Sequence, residues 1–235
     1  RRSTVEGWDT FYRDSRENWR IKYAELVARH TSTYGEASKA VIARCPGQMN
    51  LMGMHMDYGG MPSLRLAVGG AETITVASMS SSRQVRIASC CESVDAGIYE
   101  PLALDLDTAF PAGDVSSGEA MKAYAMKVCA EREQVSGSAM ADGWEVLPIG
   151  ALTFLNSYLQ SSCGLKPFEA TIWSNIPTTG GLSSSSALVI STAFAALGVS
   201  GVLPDMGTGR ELVVEGQVEV RQHRELAQVR RDRPR

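Results

Sequence analysis

"PTTGGLSSSSALVISTAFAALG", residues 177–198, sets a glycine pair and four consecutive serines directly ahead of an apolar run. Gly180 and Gly181 let the backbone approach a ligand that any side chain would block. Ser183, Ser184, Ser185 and Ser186 fall at the expected first turn of a helix over 184–198. There the amide hydrogens have no intrahelical partners and the helix dipole favours an anion. Serine hydroxyls add bonds to phosphate oxygens, and one of them can complete the shell of a magnesium ion, which prefers hard oxygen ligands. A plain structural reading stands beside this one: a serine N-cap on a core helix packed through Val189, Ile190, Phe194 and Leu197. A cap needs one serine, and this run exceeds that need. The stretch is not a Walker A loop, since no lysine follows Lys166, and it is not a G-x-G-x-x-G turn.

Working outward, "FEATIWSN" (168–175) reads as a strand in which Phe168, Ala170 and Ile172 alternate with Glu169 and Thr171, ended by Pro177. "VLPIGALTFLNSYLQ" (146–160) reads as a helix, as does 116–132 through Ala120, Ala123, Tyr124 and Val128. "ETITVASMS" (72–80) and "RQVRIASC" (83–90) are near-alternating and rich in β-branched residues, and the serines between them suggest an antiparallel hairpin. "AVIARCPG" (40–47) is a short extended piece ended by a Pro46-Gly47 turn. Near the start, "NWRIKYAELVARH" (18–30) can form an amphipathic helix with Ile21, Ala24, Leu26 and Val27 on one face. Helices and antiparallel strands mix without regular βαβ spacing, which favours an α+β domain over a doubly wound one.

The chain has 235 residues, enough for a large core, with 44% hydrophobic and 21% charged residues, as in a globular protein. Its net charge of -3 gives no general attraction to nucleic acid. The arginine-rich stretch from Arg221 to Arg235 has no interleaved aromatics, so neither nucleic acid nor a membrane is expected as a partner, and no obligate protein partner is deducible. Five cysteines without C-x-x-C spacing argue against a disulfide framework or a zinc knuckle. With no amino-terminal apolar run, the expectation is a reduced, cytoplasmic protein.

A second dense segment, "RCPGQMNLMGMHMDYGG" (44–60), brings His55 and Asp57 two residues apart, able to project together from an extended or irregular loop. Asp57 can accept two hydroxyl bonds and His55 can donate or accept one; equally, both can be ordinary loop residues. Taken together, "PGQMNLMGMHMDY" and "PTTGGLSSSSA" resemble the first and second motifs of the GHMP kinase superfamily. The likeness is closest to the galactokinase forms, approximately P-G-R-V-N-L-I-G-E-H-T-D-Y and P-x-x-x-G-L-S-S-S-A-A. It covers residues 20–60 and 165–198 well and the middle weakly.

The resemblance implies an amino-terminal domain like domain 2 of ribosomal protein S5, an antiparallel or mixed sheet packed by helices. It places a helical segment at 1–36, the ATP-binding domain at 37–210 and a charged tail at 211–235. It implies transfer of the γ-phosphoryl group of ATP to a monosaccharide hydroxyl, with Mg²⁺ as cofactor. Asp57, with His55 beside it, would bind sugar hydroxyls. Gly180, Gly181, Leu182, Ser183 and Ser184 would wrap the triphosphate, with Ser185 and Glu219 toward the metal. The chain departs from the family at Gln48, where galactokinases have an arginine, at Met54, where they have a glutamate, and at Met56 for threonine. No G-x-x-D-Q-like segment follows Glu219, so the resemblance implies a chain that stops before the third motif and the ferredoxin-like second domain, with no catalytic residue assigned and little or no kinase turnover. Rival readings are a superfamily kinase for another small alcohol or a carboxylated sugar, with only Arg44 and Arg65 as nearby cations, and a non-catalytic nucleotide or sugar binder.

Overall fold

The computed structural model describes residues 16–53, 59–90, 101–110, 144–159, 164–178 and 180–202, with isolated positions at 119, 120, 123, 124 and 127. In chain order the elements are α1 (Arg16–Tyr34), β1 (Ala40–Met52), β2 (Leu64–Met79), β3 (Gln84–Ser89), β4 (Leu102–Asp105), α2 (Val146–Leu159), β5 (Phe168–Ser174) and α3 (Ser184–Ser200). The five strands form one sheet in the order β1-β2-β5-β3-β4. All neighbours are antiparallel except β3 and β5, which run parallel. The fold is therefore α+β with a mixed sheet, and β5 is central between one parallel and one antiparallel neighbour.

That order overturns the hairpin expected from residues 72–90. β2 and β3 do run in opposite directions, but β5 lies between them and pairs with both. Two strand spacings amount to about 10 Å, a gap that residues 80–83 can bridge at about 3.3 Å or more per residue. The driving force is β5 itself, buried along almost its whole length, which an edge position would expose. Its two side-chain sets face two different helical layers. Phe168, Ala170 and Ile172 join Val85, Ile87, Leu152, Leu155 and Ala195 in the core beneath α2 and α3. Trp173 joins Ile74, Val76 and Leu26 beneath α1.

The face of α1 also differs from the expected one. Leu26 is buried and Val27 packs beside it, whereas Ile21 and Ala24 are exposed. The inward stripe is Trp19, Tyr23, Leu26, Val27 and His30, with Trp19 edge-on to Trp173 at 6.2 Å between ring centroids. Positions 21 and 26 lie about 140° apart on a helix, so the aromatic stripe and not the aliphatic count sets the face. On α3 the residues buried most fully are small, Ala187, Ser191, Thr192, Ala195 and Ala196, and Thr75 Oγ1 donates to Ser191 Oγ at 3.1 Å. Ile190, Phe194 and Leu197 are only partly buried, covering the flanks of this close contact.

His30 locks α1 to the sheet. Its ring nitrogens lie 3.1 Å from Thr171 Oγ1 and 2.9 Å from Ser78 Oγ, with the residue 2% exposed. A neutral imidazole meets both hydroxyls by donating from one nitrogen and accepting at the other. Burial pushes its pKa below the ordinary 6.5, against an opposing pull from Glu169. Because the folded pKa lies below the unfolded one, the unfolded chain binds the extra proton first. The contribution is whole above 6.5 and is lost as the pH falls from there toward the depressed value. Urea midpoints should therefore fall between about pH 7 and about pH 5, and His30→Gln should flatten that fall relative to the parent. Parallel pH profiles for the two proteins would refute the assignment.

Candidate nucleotide-binding site

The strand-loop-helix order expected for residues 168–198 is present, and the loop between β5 and α3 is tethered at both ends. At its start Asn175 exchanges bonds with Glu72: the Asn175 amide donates to the Glu72 carbonyl at 3.2 Å, and the Glu72 amide donates to Asn175 Oδ1 at 2.7 Å. Asn175 Nδ2 also donates to the Gly70 carbonyl at 2.7 Å. At its end Leu182 turns inward with Cys45, Ile176 and Ala187, anchoring the loop rather than presenting a side chain to a ligand. Gly181 has φ 68 and Ser183 has φ 60 and ψ 43, both left-handed. Ser183 is the one non-glycine residue with positive φ among those described, a conformation that costs an L-residue about 1–2 kcal/mol.

Ser183 stands at the N-cap position but its side chain makes no capping bond. The first helical bond runs from the Ala187 amide to the Ser183 carbonyl at 3.1 Å. Ahead of it the amides of Ser184, Ser185 and Ser186 have no intrahelical acceptor, and the positive end of the helix dipole lies there. Ser185 and Ser186 are exposed, as are Gly180 and Gly181. Beyond its chain neighbours, a Cβ added at Gly181 would meet no atom of the described residues within 4 Å, so among them the space over the loop is open.

The first motif meets the second here. The expected turn at Pro46-Gly47 is absent: β1 continues to Met52, and the irregularity lies in its partner. The register passes from Pro46 opposite Glu72 to Gly47 opposite Val68, leaving Gly69, Gly70 and Ala71 of β2 looped out. Proline is tolerated because β1 is an edge strand with a bulge at this point. The Gln48 amide donates to the Leu182 carbonyl at 3.0 Å, and Gln48 Nε2 donates to Ser183 Oγ at 3.1 Å. Gly47 permits the approach, since a Cβ there would lie 3.1 Å from the Leu182 carbonyl oxygen.

A galactokinase galactose-binding signature matches residues 28–78, and the GHMP kinases N terminal domain matches residues 147–220. The chain is 28% identical to a galactokinase of Candida albicans over 196 residues, 82% of this chain and 33% of the relative. It is 29% identical to a galactokinase of Candida parapsilosis over 194 residues, 82% of this chain and 32% of the relative. The chain is galactokinase-like, with one segment matching a galactokinase signature and another a GHMP kinase domain. It spans about a third of the length of these relatives. A solved Lactococcus lactis galactokinase in complex with galactose superposes with a TM-score of 0.43 at 21% identity, over 72% of this chain and 34% of that one.

Of the GHMP motif residues, the structure brings Gly180, Gly181, Leu182, Ser183, Ser184 and Ser185 together at the mouth of α3. His55, Asp57, Met54, Met56 and Glu219 lie outside the described residues. No cluster of three metal-ligating side chains occurs among the described residues. Arg44, one of two cations considered for a carboxylated sugar, is committed elsewhere: its Nε and Nη2 each donate to a Glu72 carboxylate oxygen at 2.5 Å, with both side chains buried. Asn175 and Gln48 are the site residues that sequence reasoning missed as loop supports. Gln48 was visible only as a departure from the family motif, and nothing in the local sequence pairs it with a serine 135 residues away.

Proposed function

We propose that this chain carries the nucleotide and sugar sites of an ATP-dependent kinase of galactokinase type, with residues 37–210 as the ATP-binding domain. The reaction is transfer of the γ-phosphoryl group of ATP to a monosaccharide hydroxyl. The observation that carries this reading is the pair of bonds from Gln48 to Leu182 and Ser183. They join the segment matched by the galactose-binding signature to the segment matched by the GHMP kinases N terminal domain.

The loop suits a polyphosphate. Unpartnered amides at 184–186 supply donors, Gly180 and Gly181 leave the backbone bare, and the helix end favours negative charge. When bound, ATP supplies the transferable phosphoryl group; the chain's part is to hold the phosphates and offset their charge. Mg²⁺ takes most of its ligands from phosphate and water in such sites, so Ser185 suffices as the described protein hydroxyl, with Glu219 as a second ligand. His55 and Asp57 hold the sugar hydroxyls. On the first-motif strand, Asn50 Oδ1 is buried with no partner among the described residues, an acceptor that a ligand donor would satisfy.

A second reading, a nucleotide- and sugar-binding protein without turnover, is favoured by Gln48. A neutral amide already bonded to Ser183 cannot replace a guanidinium beside the transferred charge. Calorimetry with MgATP, saturation transfer with a monosaccharide panel and labelled phosphate scored on sugar separate the two readings. Both ligands should bind, with little turnover, and Asp57→Asn should erase the sugar signals. Multiple turnovers would select the kinase reading over the binder, and a folded chain that binds neither ligand would sink both.

A further inference from the structure

We propose that Gln48 is a positioning residue that keeps the phosphate-binding amides open by holding Ser183 away from its own helix. The inference rests on the nucleotide reading above. A serine directly before a helix ordinarily adopts an extended backbone and turns its hydroxyl onto the second or third amide of the first turn. Ser183 does neither: it is left-handed, and its Oγ accepts a bond from Gln48 Nε2 instead of capping. The neighbouring bond from the Gln48 amide to the Leu182 carbonyl, and the bare Cα of Gly47 beneath it, fix the strand against the loop on the same side. Two bonds from Gln48, one from its main chain and one from its side chain, thus hold the consecutive residues Leu182 and Ser183 in a conformation that the local sequence does not favour.

The chemical consequence is a competition. With Gln48 in place, the amides of Ser185 and Ser186, on exposed residues ahead of the first helical bond, receive no cap from Ser183. Without it, Ser183 relaxes toward the ordinary cap, its hydroxyl oxygen takes one of these donors, and the anion site loses a ligand to the protein itself. The carboxamide here shapes the loop rather than touching the nucleotide, so its effect passes through Ser183. That dependence makes a specific double-variant test possible. Glycine at 183 adopts the left-handed backbone freely and has no hydroxyl with which to cap, so a Ser183→Gly chain has no need of Gln48.

The test uses the 235-residue chain with MgATP calorimetry and amide hydrogen exchange, each variant first shown folded by its thermal transition. Gln48→Leu should weaken ATP binding by about ten- to a hundredfold, the range for one lost hydrogen bond to a charged group. It should also slow exchange at Ser185 or Ser186. Ser183→Gly alone sets the reference affinity for a loop without that hydroxyl, and adding Gln48→Leu to it should cost no further affinity and should not slow exchange at Ser185 or Ser186. If Gln48→Leu fails to fold, Gln48→Asn, whose shorter amide does not reach Ser183, takes its place with the same expectations. A further loss of affinity when Gln48→Leu is added to Ser183→Gly would overturn the proposal, as would unchanged affinity and exchange in the single Gln48→Leu variant. A parent that binds no ATP refutes the nucleotide reading alone, and the exchange measurements still decide whether Gln48 governs Ser183.

Discussion

Glu72→Gln should lower the stability of the fold by about 3–5 kcal/mol, the loss that follows when one partner of a buried ion pair is removed. Arg44 and Glu72 meet in a two-bond fork with side-chain exposures of 8% and 1%, so the guanidinium left behind cannot recover its lost carboxylate from water. The pair's value lies in geometry more than in net energy. Glu72 is the β2 residue that borders the looped-out 69–71 segment, and its main chain exchanges both bonds with Asn175 at the head of the proposed phosphate loop. Replacing both partners together, Arg44→Met with Glu72→Leu, should recover most of the loss, since apolar isosteres of a buried pair are often neutral or better. Urea unfolding of the two singles and the double decides it. A Glu72→Gln cost below about 1 kcal/mol, the range of exposed pairs, would mean that the pair does not anchor this junction.

How far the sequence showed this architecture follows from which forces are local. The start of α3 was legible because two glycines, a serine run and a following apolar segment are adjacent signals, and the helix begins at Ser184 as the pattern implies. β5 was legible as a strand, but its place in the sheet was not. Its partners β2 and β3 are close to one another in sequence and far from it, and only burial on both faces separates them. The face of α1 was misread because Trp19, Tyr23 and His30 carry polar atoms yet bury more area than Ile21 and Ala24. Pro46 and Gly47 read as a turn because proline removes a ladder donor, a penalty that an edge strand escapes. Within the site, the proposed anion-binding loop was written in one contiguous stretch. Its supports, Gln48, Glu72 and Asn175, are polar residues whose partners come from other parts of the chain, and no periodicity marks them.

Gly181→Val should abolish ATP binding while the chain stays folded, and the structure supplies the control that separates crowding from strain. Gly181 and Gly201 have similar positive φ, 68 and 74, and beyond its chain neighbours a Cβ at either would meet no atom of the described residues within 4 Å. Valine at each position therefore carries a similar backbone penalty of about 1–2 kcal/mol. They differ in place. Gly201 closes the carboxyl end of α3, where its amide donates to the Gly198 carbonyl, whereas Gly181 lies in the loop before the open amides of Ser184–Ser186. Both variants should show comparable drops in unfolding midpoint, but only Gly181→Val should lose ATP, because its side chain fills the open space through which phosphate oxygens reach the amides. Ser185→Ala, removing one hydroxyl and no space, should weaken the magnesium-dependent part of binding by about 1.5–3 kcal/mol. Equal ATP affinity in folded Gly181→Val and parent would remove the loop from the site. Equal loss of affinity in the Gly181 and Gly201 variants would trace the effect to the stability of α3, because only a local obstruction distinguishes two glycines of similar positive φ on either side of one helix.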